Sequence, residues 1–358
     1  MQMFAQLDTF EHFVQRLVWL RDGSGLLLET NNFDRGELGF VSYPQGEFRS
    51  ISQTTSEYWG IGLTADGQTL AAVLVNPTWN VYLLPSAGGE ARQITSGQPV
   101  LSVSWTRDGK ILSELDGALG LIDPANGSRS ALPSTSDAVI PSACRDGHHI
   151  LFFRIGNHPA RLQLWRMDLT DNSSQLLSTG PDVLYPLCSP DSKWAYYYDE
   201  QQAGIMKAPM DGSPPSKVVS TNFTEFDFSP TGKSLVYGSL VENKSGTYQR
   251  FIDFLSLDSS TPPRPVLADP RFALEDMPFA RHLRFAADGK AVAYGIQENS
   301  VGNIWLQPLD GSAPRALTHF PSELIASFNF SRDGRFLAVV RGHRDSEVVL
   351  LHQGATQR

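Results

Sequence analysis

Few residues of the chain are spaced for chemistry. His148 and His149 follow a turn directly, and neighbours in a strand point to opposite faces, so the two do not share a metal easily and are expected as solvated turn residues. Asp22, Asp66, Asp108, Asp146, Asp191, Asp288 and Asp333 recur one per repeat. They would resemble calcium ligands only if several converged, and the expected role is to shape a turn through side-chain bonds to backbone N–H groups. Arg341, Arg344, Asp345 and Glu347 read as a solvated loop rather than a charge relay. A Gly-rich loop followed by a strand Lys, a His-Arg-Asp loop, an Asp-Phe-Gly and a Gly-x-Ser-x-Gly elbow are all missing, so neither kinase nor serine-peptidase chemistry is encoded. No catalytic residue, metal ligand or cofactor is expected, and the chain reads as a non-enzyme.

The elements that would position any site are legible in Phe328 to Val339, where apolar residues alternate on either side of Arg332-Asp333-Gly334 as in a half-buried hairpin. In such a turn the polar pair takes the right-handed positions and the Gly the left-handed one. Eight copies fall at Asp22-Gly23, Asp66-Gly67, Asp108-Gly109, Asp146-Gly147, Asp191-Ser192, Thr231-Gly232, Asp288-Gly289 and Asp333-Gly334, with steps of 44, 42, 38, 45, 40, 57 and 45 residues. A period of about 40–45 residues is that of one four-stranded propeller blade. A second turn at mid-repeat, as in Ala87-Gly88-Gly89, Asp211-Gly212 and Asp310-Gly311, gives each unit two hairpins. The spacing predicts an all-β chain, a β-propeller of four-stranded antiparallel blades, eight by count and seven as the alternative. It reads as one domain over residues 1–358.

Several details follow from the same reading. Thr69 to Val75 pairs with Asn80 to Leu84, and Phe336 to Val340 and Glu347 to His352 are two separate strands. Met3 to Leu7 is expected to be the outer strand of the last blade, closing the ring by joining the chain ends. Val241 to Gln249 and Asp258 to Pro278 are read as loop insertions, and Ser192 as an irregular turn where Gly is expected. Trp79, Trp165, Trp194 and Trp305 are expected to pack between blades.

Composition agrees, with 41% hydrophobic and 19% charged residues, 30 Gly and 23 Pro. A net charge of −9 without a basic stripe argues against a nucleic-acid partner. Cys144 and Cys188 are expected as two buried free thiols, since inner strands of adjacent blades seldom bring Cα atoms within reach of a bridge. No signal peptide or transmembrane run is visible, and a monomer is expected.

The runs Leu187 to Trp194, Phe228 to Lys233 and Phe330 to Arg335 resemble the WD-repeat-like unit of TolB-type propellers. Asn303 to Gly311 with Arg315 to Phe320, and Leu337 to His343, are similar to the propeller region of acidobacterial proteins. There the propeller follows a serine/threonine kinase or a winged-helix DNA-binding module. The resemblance implies a sensing or docking part of a bacterial signalling protein. In such a fold the loops that lead into the inner strands ring one channel mouth, and recognition residues concentrate on loops held by a rigid scaffold. Here those loops carry Glu57, Tyr58, Trp59, Asp182, Tyr185, Glu225, Arg281, His282 and Glu323 as a candidate binding set for a protein, peptide or small ligand. The alternatives are an enzyme with a channel site, such as a metal-dependent lyase or hydrolase, and a purely architectural scaffold.

Overall fold

The computed structural model describes residues 13–32, 35–54, 56–115, 117–155, 162–178, 183–222, 225–244, 246–272 and 281–352. Every described element is a strand. β1 to β4 are Phe13–Trp19, Gly25–Asn32, Arg35–Ser42 and Phe48–Thr54; β5 and β6 are Glu57–Leu63 and Thr69–Pro85; β7 is Arg92–Gln93. β8 to β11 are Ser104–Trp105, Ile111–Leu115, Ala118–Ile122 and Arg129–Ala131, and β12 to β15 are Ala138–Ala143, His149–Ile155, Leu162–Asp168 and Ser174–Ser178. β16 to β19 are Val183–Cys188, Trp194–Asp199, Gly204–Pro209 and Ser216–Ser220, and β20 to β23 are Phe226–Phe228, Ser234–Glu242, Tyr248–Ser256 and Arg264–Leu267. β24 to β27 are Leu283–Phe285, Ala291–Glu298, Val301–Pro308 and Arg315–Ala316, followed by β28, Leu324–Phe330, and β29, Phe336–His352.

These strands form seven antiparallel sheets, six of four strands and one of order β28-β29-β6-β5 with β7 on β6. Seven is the second of the two counts that the repeat spacing allows. All eight turns are hairpins, but a turn counts hairpins and not sheets. β6 runs unbroken for 17 residues, so the hairpin at Asp66 feeds a strand that also belongs to the sheet of β28 and β29. Thr69 to Val75 and Asn80 to Leu84 are therefore one strand and not a pair, and the same holds for the two segments that make up β29. A strand from early in the chain thus shares a sheet with the last one, through β6. Met3 to Leu7 lies outside the described residues. Val241 to Gln249 is not an inserted loop but the far end of an extended hairpin, with Glu242 opposite Tyr248.

The turn chemistry is local, as its composition requires. In the last copy the Gly334 N–H donates to the Ser331 carbonyl at 2.9 Å, while Asp333 Oδ1 accepts from Ser331 Oγ at 2.6 Å and from the Arg335 N–H at 3.1 Å. The Ser331 hydroxyl first, then the Arg335 N–H groups, hold the Asp333 carboxyl at about 2. Ser192 adopts the left-handed conformation, φ 58°, that Gly takes in the other turns. Its hydroxyl explains the exception, because Oγ accepts the Asp146 N–H of the neighbouring sheet at 3.1 Å. Ser192→Gly removes strain and that bond together, so its stability is expected to stay within about 0.5 kcal/mol, whereas Ser192→Ala loses only the bond and is expected to cost about 1 kcal/mol. Urea denaturation of both variants checks the pair of values.

The Cα packing divides into two compact units, residues 1–78 with 344–358 and residues 79–343. The first unit contains the sheet β1 to β4, the hairpin β5–β6 up to Thr78 and the end of β29. Leu27, Leu38, Tyr58, Leu70 and Ala72 form its core. Glu29 is fully buried there, and only the Gly60 N–H and the charge of Arg16 favour its ionised form. Burial pushes its pKa up to about 6, against the charge of Arg16. A carboxyl raised on folding contributes stability below its unfolded value of about 4.5, and that contribution is lost as pH rises through 6. Glu29→Gln is therefore expected to stabilise the protein by about 2 kcal/mol at pH 7.5 and to change little at pH 4, read from denaturation midpoints at the two pH values.

The second unit holds five complete sheets, β8 to β27, and a sixth built from β28, the first part of β29, the second part of β6, and β7. Their order closes: inner strand β28 packs on β24 and on β8, and β12 packs on both β8 and β16. Apolar faces meet between successive sheets. Trp79, Val81, Trp105 and Val340 lie in one such core, and Phe285, Val292 and Tyr294 in another. Trp305 packs against the margin of the second, and Trp165 and Trp194 against the margins of two further cores.

The expected pair of free thiols is overturned. Cys144 and Cys188 form a disulfide with a Cα–Cα distance of 5.2 Å. Both residues stand at the outlet of inner strands β12 and β16, and the inner strands of successive sheets converge at the channel, which is what brings the two backbones within reach.

Candidate functional site

Each sheet of the second unit offers its first strand to the channel, and that strand is an edge whose outward N–H groups need acceptors. Side chains of the preceding sheet supply them. Ser104 Oγ accepts the Ala143 N–H at 2.9 Å and Glu114 Oε1 the Ile140 N–H at 2.6 Å. Glu225 Oε2 accepts the His282 N–H at 2.6 Å and Asp227 Oδ2 the Phe285 N–H at 2.9 Å. The channel wall is thus stitched by acids and hydroxyls from one sheet to the next.

Arginines reach further, past the adjacent sheet to the one beyond it, and Arg332 meets both. Arg281 Nη2 donates to the Pro186 carbonyl at 2.7 Å, and its guanidinium lies 5.6 Å from the Tyr185 ring centroid. At the turn end, Arg145 Nη1 donates to the Pro230 carbonyl at 2.9 Å, and Arg332 donates through Nε to Trp105 at 2.8 Å and through Nη2 to Ala143 and Cys144 at 2.8 and 3.0 Å. Guanidinium groups suit this, since one planar fork serves several carbonyls.

Four of the residues singled out from the sequence therefore come together: Tyr185, Glu225, Arg281 and His282. Burial pushes the Glu225 carboxyl up against the pull of His282, and pushes Asp227 up against Arg284. It also pushes Arg281 down to about 9, with Arg284 nearby adding repulsion. His282 Nε2 lies 2.8 Å from the Ile325 carbonyl, which only a protonated nitrogen can address, so Nδ1 is the atom turned to Glu225 at 3.7 Å. Asp227, Arg284, Arg145 and Arg332 belong to the same channel, and sequence reasoning passed over them. The signal was period two: Asp227, in β20, stands two residues after Glu225, which directly precedes the strand.

The other candidates are elsewhere. Glu323 pairs with Arg341 at 3.0 Å, and Arg341 stacks 3.7 Å from the Phe320 centroid and 4.7 Å from that of Tyr82. Arg341 is thus a buried strand residue and not part of a solvated loop, because β29 continues straight through it. Glu57, Tyr58 and Trp59 lie in the first unit. Tyr58 is 4% exposed in its core, and Trp59, 45% exposed, donates Nε1–H to Glu57 Oε2 at 2.6 Å. Tyr185 is 8% exposed among apolar neighbours, so both tyrosines are packing residues. Asp182 lies outside the described residues. His149 is not simply solvated either, since Nδ1 sits 2.7 Å from Asp146 and Nε2 3.6 Å from Asp168.

Between the stitched wall and the arginines at the turn end is a cavity of about 380 Å³. Ser104, Ser142, Asn329 and Asp227 give it polar groups, and Phe228, Phe285 and Phe330 give it apolar ones. Among the described residues no group of three or more His, Cys, Asp and Glu side chains gathers as a metal site, and no helix is long and apolar enough to cross a membrane.

No protein-family model matches the chain, and no curated protein sequence matches it. Solved structures do. A putative TolB from Agrobacterium tumefaciens superposes with a TM-score of 0.58 at 18% identity, over 75% of this chain and 99% of that one. TolB from Acinetobacter baumannii gives 0.50 at 14% identity, over 90% and 81% of the two chains. The fold is a TolB-like β-propeller. An oligogalacturonate lyase from Vibrio parahaemolyticus also matches, with a TM-score of 0.50 at 11% identity over 92% of this chain and 89% of that one. The TolB-like fold is therefore shared by TolB proteins and by an enzyme, and at these identities the likeness carries the fold alone.

Proposed function

We propose that the chain is a non-enzymatic binding module, the sensing or docking part of a bacterial signalling protein, and that the channel cavity of the second unit receives a protein segment, a peptide or a small ligand. The observation that supports this reading is the division of labour around the cavity. The arginines there are spent on backbone carbonyls and Asp227 on the Phe285 N–H, which makes a rigid frame, while Ser142 and Asn329 add polar groups to the lining. A preformed recess with apolar walls and a few fixed polar groups is how binding sites for small partners are built. The acidic balance of the chain favours a partner other than nucleic acid, and a single copy suffices.

Filling the recess tests it. Ser142→Leu with Asn329→Leu is expected to abolish co-purification of partners or ligands, read by native mass spectrometry and proteomic capture, with a thermal transition within a few degrees of the wild type. Equal recovery by both proteins would sink the assignment. Turnover that survives repurification and disappears on Asp227→Asn would favour the enzyme reading instead.

A further inference from the structure

Beside the channel cavity, still within the second unit, a groove of about 670 Å³ runs between the closing sheet and the sheet β8 to β11. Its floor is apolar, with Leu83, Leu84, Trp105 and Phe336. Arg92, Arg107, Arg332 and Arg335 line it against two acids, Asp108 and Asp333, in a chain that carries 29 basic and 38 acidic residues. Those two acids are already engaged. Asp108 accepts from Thr106 Oγ1 at 2.6 Å with Lys110 Nζ at 3.5 Å, and Asp333 from Ser331 Oγ and Arg335 Nε, both at 2.6 Å. Arg92 and Arg107 are exposed and are each steered by one bond to a carbonyl, Pro124 at 2.7 Å and Asp146 at 3.0 Å. The bonds orient the charges without neutralising them.

We infer that this groove docks an acidic protein segment that carries a bulky apolar side chain. The apolar group covers Phe336, the exposed part of the apolar floor, and its flanking carboxylates meet Arg92, Arg107 and Arg335 as charge-assisted pairs. Charge complementarity carries the choice of occupant: a basic segment would face three guanidiniums of which Asp333 offsets only that of Arg335, and an apolar one would leave Arg92 and Arg107 without a counter-charge. The groove shares Trp105, Ser331 and Arg332 with the lining of the channel cavity, while Arg92, Arg107 and Arg335, which carry the proposal, line the groove alone.

The test uses the full chain and three fluorescein-labelled hexapeptides, read by anisotropy. One has phenylalanine and leucine at its centre with two acidic residues on each side; the second replaces the acids by lysine, and the third replaces the apolar pair by glycine. Saturable binding is expected for the first, with the other two weaker by about tenfold or more. Affinity for the first should fall about fivefold or more between 50 and 300 mM salt, and about tenfold or more in Arg92→Glu with Arg335→Glu. Arg107→Glu serves as an independent variant if that pair disturbs folding. Equal binding of the acidic and lysine peptides, no saturable binding of the first, or indifference to the charge reversals would overturn the proposal. Tighter binding of a short single-stranded RNA than of the acidic peptide would overturn it as well, assigning the arginines to a phosphate backbone.

Discussion

Loss of the Cys144–Cys188 bridge, by reductant or by Cys144→Ala with Cys188→Ala, is expected to cost the second unit about 2–4 kcal/mol and to lower its thermal midpoint by roughly 5–10 °C. The two cysteines are 44 residues apart, and opening a loop of that length returns conformational entropy to the unfolded chain worth about 4 kcal/mol in the loop-closure account. Local packing cannot substitute for it. The bridge joins the outlets of β12 and β16, which also hold the carbonyl of Cys144 toward Arg332. Differential scanning calorimetry of oxidised and reduced protein decides the matter; coincident transitions would show that the bridge adds nothing.

The second large effect is expected at Arg281. Arg281→Met keeps much of the volume but leaves the Pro186 carbonyl without its donor and removes a positive charge from beside Glu225 and Asp227. Breaking one partner out of a buried charge cluster typically costs about 3–5 kcal/mol, and that range is expected here. Glu225→Gln should cost less, about 1 kcal/mol, because an amide oxygen still accepts the His282 N–H. Because both side chains belong to one cluster, the double variant should lose at least about 1 kcal/mol less than the sum of the singles. Strict additivity in urea denaturation would mean that the two side chains act independently.

How much could be read beforehand depended on how local the physics was. The eight turns were legible because an Asp and a left-handed Gly specify a hairpin within five residues, and even Ser192 was marked as an exception. The number of sheets was less so, since nothing near Pro77 announces that β6 continues through it. The disulfide was hidden for a related reason: the convergence of β12 and β16 is a property of the ring and not of either strand. Glu225, Arg281 and His282 are singled out in the sequence by their place before inner strands, and what the structure adds is that they stand together. Asp227 and Arg332 are not legible there, because what singles them out is which carbonyl or N–H they meet in another sheet.

The closing sheet also sets a timetable for synthesis. β6 and β7 leave the ribosome early, yet β29, with which β6 must pair, follows only after roughly 250 further residues. At about 5–20 residues per second that is some 10–50 s during which β6 offers an unpaired edge. The nascent chain is therefore expected to bind holding chaperones through that interval and to release them once residues 324–343 have emerged, and ribosome-bound fragments ending before residue 324 should be the aggregation-prone ones.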